Sequence, residues 1–278
     1  MAPALPDDRD HWPRHARQWA LVGPPLRPGP GDVAAVAAEL AAWQAAHGRP
    51  PRVLVLGVTP ELVTMAIAAG AAVTAVDRSA AMIGAVLPRP VGAAPPRAIQ
   101  ADWTALPLAP ASIDVVIGDG SPSNLRFAGD HRALAAEVAR VLAPAGRLVL
   151  RLFAAPPVAE PLATVAADLA AGRIGSFHAL KWRVAMAIQP ADRNVAVAAI
   201  GAAVEALVPD RAALAARTGW PRPVIDTIDA YRGSALTYAF PTEAEVDAAF
   251  AVALRPLRAH RPDYELGDRC PTVTWCRR

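Results

Sequence analysis

The sequence predicts an α/β fold: a doubly wound, mostly parallel sheet with a helical cap insertion. Three observations carry that expectation. Short apolar runs rich in β-branched residues recur at 53–56, 72–76, 97–101, 113–117 and 147–153, as strands buried on both faces require. Segments of helical periodicity separate them, the pattern of βαβ units with right-handed crossovers. After Phe153 the alternation stops, and residues 154–240 read as mainly helical.

Composition narrows the class. A chain of 278 residues holds one large α/β domain or two small ones. The net charge is only +3, the arginines are scattered singly and Lys181 is the only lysine. A nucleic-acid surface needs clustered basic residues with aromatics between them, so no nucleic-acid partner is expected. The longest apolar run, Val195 to Val208, contains Glu205 and is shorter than the roughly 20 residues of a membrane-spanning helix. No membrane partner is expected either. Asp7, Asp8 and Asp10, with no apolar core beside them, speak against a signal peptide. Cys270 and Cys276 are not spaced as a zinc or redox pair, which fits a reducing cytoplasm. Nothing in the sequence indicates an oligomeric state.

Residues 1–30 form a proline-rich arm bearing His11, Trp12, His15 and Trp19. The His11/His15 spacing suits a helical metal pair, but Pro13 intervenes and no third ligand is near, so no metal is expected. The two tryptophans either anchor the arm or lie over a ligand. Asp32 reads as the cap of a helix over 33–47, with Val33, Val36, Leu40 and Trp43 on one face and Gly48 and Pro50 beyond its end. Val53–Leu56 is a buried strand, Gly57 turns, Thr59 stands at an N-cap and Pro60 takes the first helical position, where a missing N–H costs least. That helix, 60–69, ends at Gly70. Strand 72–76 delivers Asp77, and Ser79 caps a helix to Leu87. A loop with Pro88, Pro90, Pro95 and Pro96 leads to strand 97–101, closed by Asp102 and Trp103. Ile113–Ile117 is a central strand running into Gly118-Asp119-Gly120, and a helix over 130–142 precedes strand 147–153. The insertion reads as helices near 160–171, 176–189, 194–208, 210–217 and 224–231, then a strand near 236–240. Thr242 and Glu245 make a capping box for a helix over 242–252, and strands near 254–259 and 271–276 follow.

Ligands of an open parallel sheet bind outside the carboxyl ends of its strands, near the switch in strand order. Gly57–Glu61, Asp77-Arg78, Asp102-Trp103 and Gly118–Asn124 stand there. The strand, turn and helix start at 53–62 make a shelf of backbone N–H groups with partial positive charge. Asp77 follows Gly57 by 20 residues, the spacing at which an acidic side chain accepts both ribose hydroxyls. Its alternative is to cap the next helix. Asp102 and Trp103 suit adenine, a carboxylate for the exocyclic amine and an apolar wall for the ring; the alternative is a plain surface turn. A pyrophosphate needs the close backbone approach of G-x-G-x-x-G. Gly57-Val58-Thr59-Pro60-Glu61 has one glycine, a proline without an N–H and a carboxylate that repels phosphate. The turn therefore argues against NAD and ATP, whereas a methionine tail, with its ammonium, tolerates Glu61.

In combination these segments resemble the class I S-adenosylmethionine-dependent methyltransferases of small-molecule type, with a variant glycine turn. The resemblance covers about 50–153 and rests on VLVLGVTPEL, the Asp77 strand end, Ala101-Asp102-Trp103, IDVVIGDGSPSNL and the run from Glu137 to Leu150, in that order. It implies a Rossmann-like sheet in a single domain. Within it, 1–50 is the N-terminal arm and helix, 51–153 the cofactor-binding core, 154–240 the helical cap and substrate segment, and 241–278 the last helix and C-terminal strands. It also implies S-adenosyl-L-methionine as cofactor, with S-adenosyl-L-homocysteine as product. The matching positions are Gly57, Val58, Thr59, Pro60, Glu61, Asp77, Arg78, Met82, Asp102, Trp103, Asp119 and Gly120. The family usually has an acid in the first strand and a G-x-G-x-G turn. Val55 and Gly57-Val-Thr-Pro-Glu stand here, and Glu61 is the candidate partner for the methionine ammonium.

Methyl transfer from a sulfonium is an in-line displacement, promoted chiefly by holding nucleophile and methyl close and aligned. A hydroxyl or amine acceptor is helped by a general base. Asp119 is one candidate and His178 another. Ser176 caps a helix that sets His178, Lys181 and Trp182 on one side, at i, i+3 and i+4. These three, with Ser121 and Asn124, are expected to bind the acceptor; the alternative for the helix is a partly exposed face. Asp226, Asp229 and Arg232 read as a salt-bridged outer face. A covered pocket favours a small organic acceptor over a protein or RNA. Two rival readings are a non-catalytic module of the same fold, binding S-adenosylmethionine or a nucleotide, and an oxidoreductase with a degenerate dinucleotide turn.

Overall fold

Among the described residues nine strands follow in chain order: β1 (Arg52–Leu56), β2 (Ala72–Asp77), β3 (Arg97–Gln100), β4 (Ile113–Asp119), β5 (Leu142–Arg151), β6 (Asn194–Ala196), β7 (Thr237–Ala239), β8 (Leu254–His260) and β9 (Thr272–Arg277). The computed structural model describes residues 11–89 and 95–278, so Asp7, Asp8, Asp10 and Pro90 lie outside the described residues. Seven strands form one sheet in the order β3-β2-β1-β4-β5-β9-β8. β1 to β5 are parallel, and β9 runs antiparallel between β5 and β8. The strand order reverses between β1 and β4, where two chain crossovers part and leave a crevice at the carboxyl ends.

Helices on both faces explain why the strands read as unbroken apolar runs. On one face α2 (Pro30–His47), α3 (Pro60–Ala68) and α4 (Ala80–Val86) bring Val36, Leu40, Trp43, Leu62 and Val63 against Val53, Val55, Val115, Ile117 and Val149. On the other, α5 (Gly129–Val141) and α11 (Glu243–Phe250) bring Leu134, Val138, Val246 and Phe250 against Leu54, Leu56, Val116, Leu148 and Trp275. Val53 to Leu56 are buried on both faces, and each such side chain stabilises the fold by about 1.5–3 kcal/mol. A helix α1 (His11–Arg17) in the arm precedes them all and packs against α4 and the 3-10 turn Thr227–Tyr231.

The segment after β5 has its own apolar cluster. α6 (Leu162–Ala170), α7 (Phe177–Ile188), α8 (Val197–Leu207), α9 (Arg211–Thr218) and α10 (Arg222–Asp226) close around Phe177, Leu180, Val184, Ile200, Ile225, Tyr231 and Phe240. Three local expectations are corrected here. Asn194–Ala196, expected to open a helix, pairs antiparallel with Thr237–Ala239. Asn194 also bonds both backbone groups of Phe127, its Oδ1 accepting from N and its Nδ2 donating to O, each at 2.8 Å. The helix expected over 224–231 breaks at Asp226 into the 3-10 turn. Asp32 is not the cap of α2. Gly29 is, and the Asp32 carboxylate reaches back as the third helical residue to accept the Gly29 N–H at 2.8 Å. Ser79 and the Thr242/Glu245 box cap as expected.

Candidate functional site

The crevice opens into a cavity lined by both the sheet and the segment above it. Its floor is the strand ends: Leu56, Gly57, Val58 and Thr59 after β1, Asp77 and Arg78 after β2, Trp103 beyond β3, and Asp119, Gly120, Ser121, Ser123 and Asn124 after β4. Its roof comes from the arm (Trp12, His15, Trp19, Val22 and Leu26), from Phe153 after β5, and from Trp182 and Tyr238 in the segment above.

The floor is shaped by glycines and a few committed side chains. Gly57 has φ +102°, and a Cβ there would face Asp77 Oδ2 and the Trp103 ring, each at 3.8 Å. Asp77 therefore flanks the shelf while its Oδ1 accepts the Ser79 N–H at 2.8 Å. Asp77 thus both braces the cap of the following helix and borders the cavity. Trp103 is fixed by its indole N–H, which donates to Val76 O at 2.7 Å, so the ring forms a wall beside Gly57. Asp102 stands in an adjoining recess with Arg78, Trp103, Asn124 and Leu125. Its Oδ1 is taken by Thr104, which donates from N at 2.7 Å and from Oγ1 at 2.6 Å. Thr59 occupies the N-cap position of α3 without a side-chain cap bond.

A second glycine pair narrows the crevice from the β4 side. A Cβ on Gly118 would lie 2.5 Å from Ser121 Oγ, and one on Gly120 would lie 2.2 Å from Phe153. Ser121 is buried and donates to Leu56 O at 2.8 Å, tying the ends of β1 and β4 together. Asp119 is ion-paired with Arg151, Nε to Oδ1 at 2.5 Å, both side chains almost wholly buried. Burial pushes the Asp119 carboxyl above its ordinary value, and the Arg151 guanidinium offsets only part of that rise. Arg151 in turn donates to Tyr264 Oη at 2.9 Å, and Tyr264 donates to Asp32 Oδ2 at 3.0 Å. The chain of bonds leaves Asp119 a buttressed polar wall and a poor free base.

Several expected residues sit elsewhere. His178 and Lys181 are not among the residues lining the cavity. The His178 Nε2 meets Leu21 O at 2.9 Å, and burial, then the charge of Lys181, push its pKa down to about 3. Lys181 is fully buried between the Phe177 and Tyr231 rings, donates to Thr227 Oγ1 at 3.1 Å and is pushed down by burial to about 7. The helical spacing was right, but α7 is buried on all sides from Phe177 to Met186, so sharing a side with Trp182 does not mean sharing its cavity. Glu61 and Pro60 likewise line an outer groove instead. The Glu61 Oε1 accepts from Arg27 Nε at 2.8 Å, and Arg27 lies 5.1 Å over the Trp19 ring. Glu61 thus clamps the arm: Arg27 takes Oε1 of the carboxylate that was expected to meet an ammonium, while Oε2 is buried without a partner. Asp226 and Asp229 pair with Arg211 at 2.8 Å each on the outer surface, and Arg232 with Glu205 at 2.6 Å.

Val22, Leu26, Ser123, Phe153 and Tyr238 had not been singled out. Phe153 was legible, since it follows the carboxyl end of a strand as Asp119 does. Tyr238 was not: β7 is placed by its pairing with β6, a contact across some 40 residues of chain, and by its packing on the turn Ser121–Asn124.

Residues 54–150 match the family model of a methyltransferase domain. The chain carries a class I S-adenosylmethionine-dependent methyltransferase domain. The likenesses to solved structures are distant. The CcbJ methyltransferase of Streptomyces caelestis is 14% identical with TM-score 0.56, covering 98% of this chain and 99% of that one. The 1,6-didemethyltoxoflavin-N1-methyltransferase of Burkholderia thailandensis, solved with 1,6-didemethyltoxoflavin and S-adenosylhomocysteine, is 13% identical with TM-score 0.52, covering 100% and 93%. A Rhodobacter sphaeroides structure named as a candidate Zn-dependent alcohol dehydrogenase is 15% identical with TM-score 0.60, covering 95% and 98%. At such identities each likeness speaks to the fold alone. No curated protein matches the sequence. Among the described residues no group of His, Cys, Asp and Glu could hold a metal ion, and no helix is long and apolar enough to cross a membrane.

The methyltransferase floor fits its cofactor, S-adenosyl-L-methionine. Gly57 leaves the backbone bare, Asp77 offers an acceptor beside it, and Trp103 and Met82 give a flat apolar wall. The single-glycine turn offers no second bare backbone for a pyrophosphate.

Proposed function

We propose that this methyltransferase modifies a small organic molecule bound between the strand ends and the roof of the cavity. The observation that carries the reading is the enclosure itself. The arm and the segment 154–240 stand over the strand ends and make a concave, mostly apolar site with a few polar groups at its floor, the setting of a small-ligand site and one poorly suited to a folded protein or an RNA. When bound, S-adenosyl-L-methionine supplies an electrophilic methyl group on a sulfonium.

The chain's residues then take these parts. Asp77 accepts the ribose hydroxyls, and Trp103 with Met82 sandwiches the adenine, beside the recess holding Asp102 and Arg78. The turn Gly57–Thr59, with Gly120, borders the methionine end. Asp119, ion-paired with Arg151, presents a carboxylate oxygen there as a fixed hydrogen-bond acceptor. Asn124 and Trp182 face the acceptor, and Ser121 acts by tying the end of β1 at Leu56 to the end of β4. His178 and Lys181 support the roof from behind. Catalysis rests on alignment and exclusion of water, for which the closed roof is suited.

Titration calorimetry tests the reading. S-adenosylhomocysteine is expected to bind with micromolar affinity, and Asp77→Asn to weaken it about tenfold. No heat with S-adenosylmethionine or S-adenosylhomocysteine at sub-millimolar concentration would refute it.

A further inference from the structure

Resting on the reading of the cavity as a methyl-acceptor site, we infer that its roof selects a flat, uncharged aromatic or heteroaromatic compound whose edge carries hydrogen-bond acceptors, such as ring carbonyls. The roof holds an unusual set of unsatisfied groups. The indole Nε1 atoms of Trp12, Trp19 and Trp182 and the Nδ1 of His15 are buried without a hydrogen-bond partner, and all four residues line the cavity. Most buried polar groups in proteins are satisfied; of the fourteen unpartnered side-chain atoms among the described residues, these four belong to residues that line one cavity, and three of them are indole donors, a concentration that calls for a cause. The other indoles differ. Trp103, Trp220 and Trp275 donate to Val76 O, Gly175 O and Asp247 Oδ1 at 2.7, 3.1 and 2.8 Å. Trp43 alone is also unpartnered, and it is stacked between His47 and Arg49, away from the cavity.

Shape and charge narrow the occupant. Phe153 and Tyr238 meet Trp182 edge-to-face with centroids 5.1 and 5.8 Å apart, and Trp12 meets His15 at 5.7 Å, so the roof is built of ring faces and ring edges. The charged lining residues, Asp77, Arg78 and Asp119, all belong to the floor. Burial, then the charge of neighbouring His11, push the pKa of His15 well down, so its imidazole is neutral. A carboxylate would therefore find no counter-charge against the roof. An ammonium would suit an aromatic cage, yet it has no lone pair for three indole N–H donors. A flat neutral ring with carbonyl or ring-nitrogen edges satisfies both the stacking and the donors.

The test uses the full chain, labelled with nitrogen-15 and first saturated with S-adenosylhomocysteine, at pH 6.5. Failure at that first step would count against the proposed function and not this inference. Four probes follow: 7-hydroxycoumarin, 2-naphthol (equally flat, without the carbonyl edge), 2-naphthoate and choline. We expect 7-hydroxycoumarin to bind at least fivefold more tightly than the other three and to move the indole N–H signals of Trp12, Trp19 and Trp182 downfield. Trp19→Phe and Trp182→Phe, which keep a ring and remove the donor, should each reduce that preference about threefold or more. The inference fails if 7-hydroxycoumarin does not bind, if it saturates with those three signals unmoved, or if naphthol, naphthoate or choline binds as tightly.

Discussion

At the residue scale, the site depends on what is missing from two glycines and on what one carboxylate restrains. Gly120 has φ +60°, and a methyl group there would collide with the Phe153 ring at 2.2 Å. Overpacking of this kind costs typically 1–3 kcal/mol, and the left-handed backbone adds about 1 kcal/mol for a residue with a Cβ. Gly120→Ala is therefore expected to lower the unfolding free energy by about 2–4 kcal/mol in urea titrations and to impair S-adenosylhomocysteine binding. Glu61→Gln tests a different link. It removes the charge that holds Arg27 over Trp19, a partly exposed pair of the kind worth about 1 kcal/mol or less. A small stability loss with a changed Trp19 fluorescence is expected, and cofactor affinity should fall less than about threefold. A tenfold loss of affinity with unchanged fluorescence would return Glu61 to the cofactor.

At the element scale, β4 carries an acid at each end for opposite reasons. Asp119 belongs to the cavity, whereas Asp114 is buried at the far end of the strand. There it accepts from Arg49 Nη1 at 2.8 Å, from Arg52 Nη2 at 2.9 Å and from Arg52 N at 2.8 Å. Burial alone would raise the Asp114 carboxyl, but the bonds from Arg52 and Arg49 outweigh it and hold it well below the usual carboxylate range. The unfolded chain takes up that proton near pH 4, about the ordinary aspartate value. The stabilisation is thus complete above about pH 4 and is lost as the pH falls below it. Asp114→Asn should destabilise the protein by roughly 2 kcal/mol at pH 7, as expected for hydrogen bonds to a charged group. Its denaturation midpoint should approach that of the wild type near pH 2–3. A constant gap between the two from pH 7 to pH 2 would disprove the linkage. The elements themselves were largely legible: an apolar β-branched run with a turn residue behind it needs no distant partner to be read as a strand. β6 was misread as helix because its three residues are held extended by β7 and by Asn194 bonding Phe127, none of which a local window contains.

At the scale of the whole molecule, the arm joins two layers that the chain builds far apart. His11 Nε2 meets Tyr238 Oη at 3.0 Å, Gln18 donates to Thr227 O at 3.1 Å, and Arg27 reaches Glu61 on α3. Removing residues 1–22 should leave a sheet that still unfolds cooperatively by circular dichroism, because its two faces are covered by α2–α5 and α11. S-adenosylhomocysteine affinity should nevertheless drop by about tenfold or more, with Trp12, His15 and Trp19 gone from the roof. Retained affinity would mean that the arm covers the site without forming it.

The sequence by itself determined the parallel sheet, its order of elements, and the floor of the cavity, since each floor residue follows directly from the end of a strand. Gly57, Asp77, Trp103, Asp119 and Asn124 are placed by βαβ geometry, in which the carboxyl ends of successive strands come to one edge. Tertiary structure decided the roof. Whether a side chain on the buried α7 faces the cavity or its own apolar cluster depends on what packs against it, and there Trp182 fell on one side and His178 and Lys181 on the other. Periodicity fixes which residues share a helix face; only the neighbours fix what that face meets.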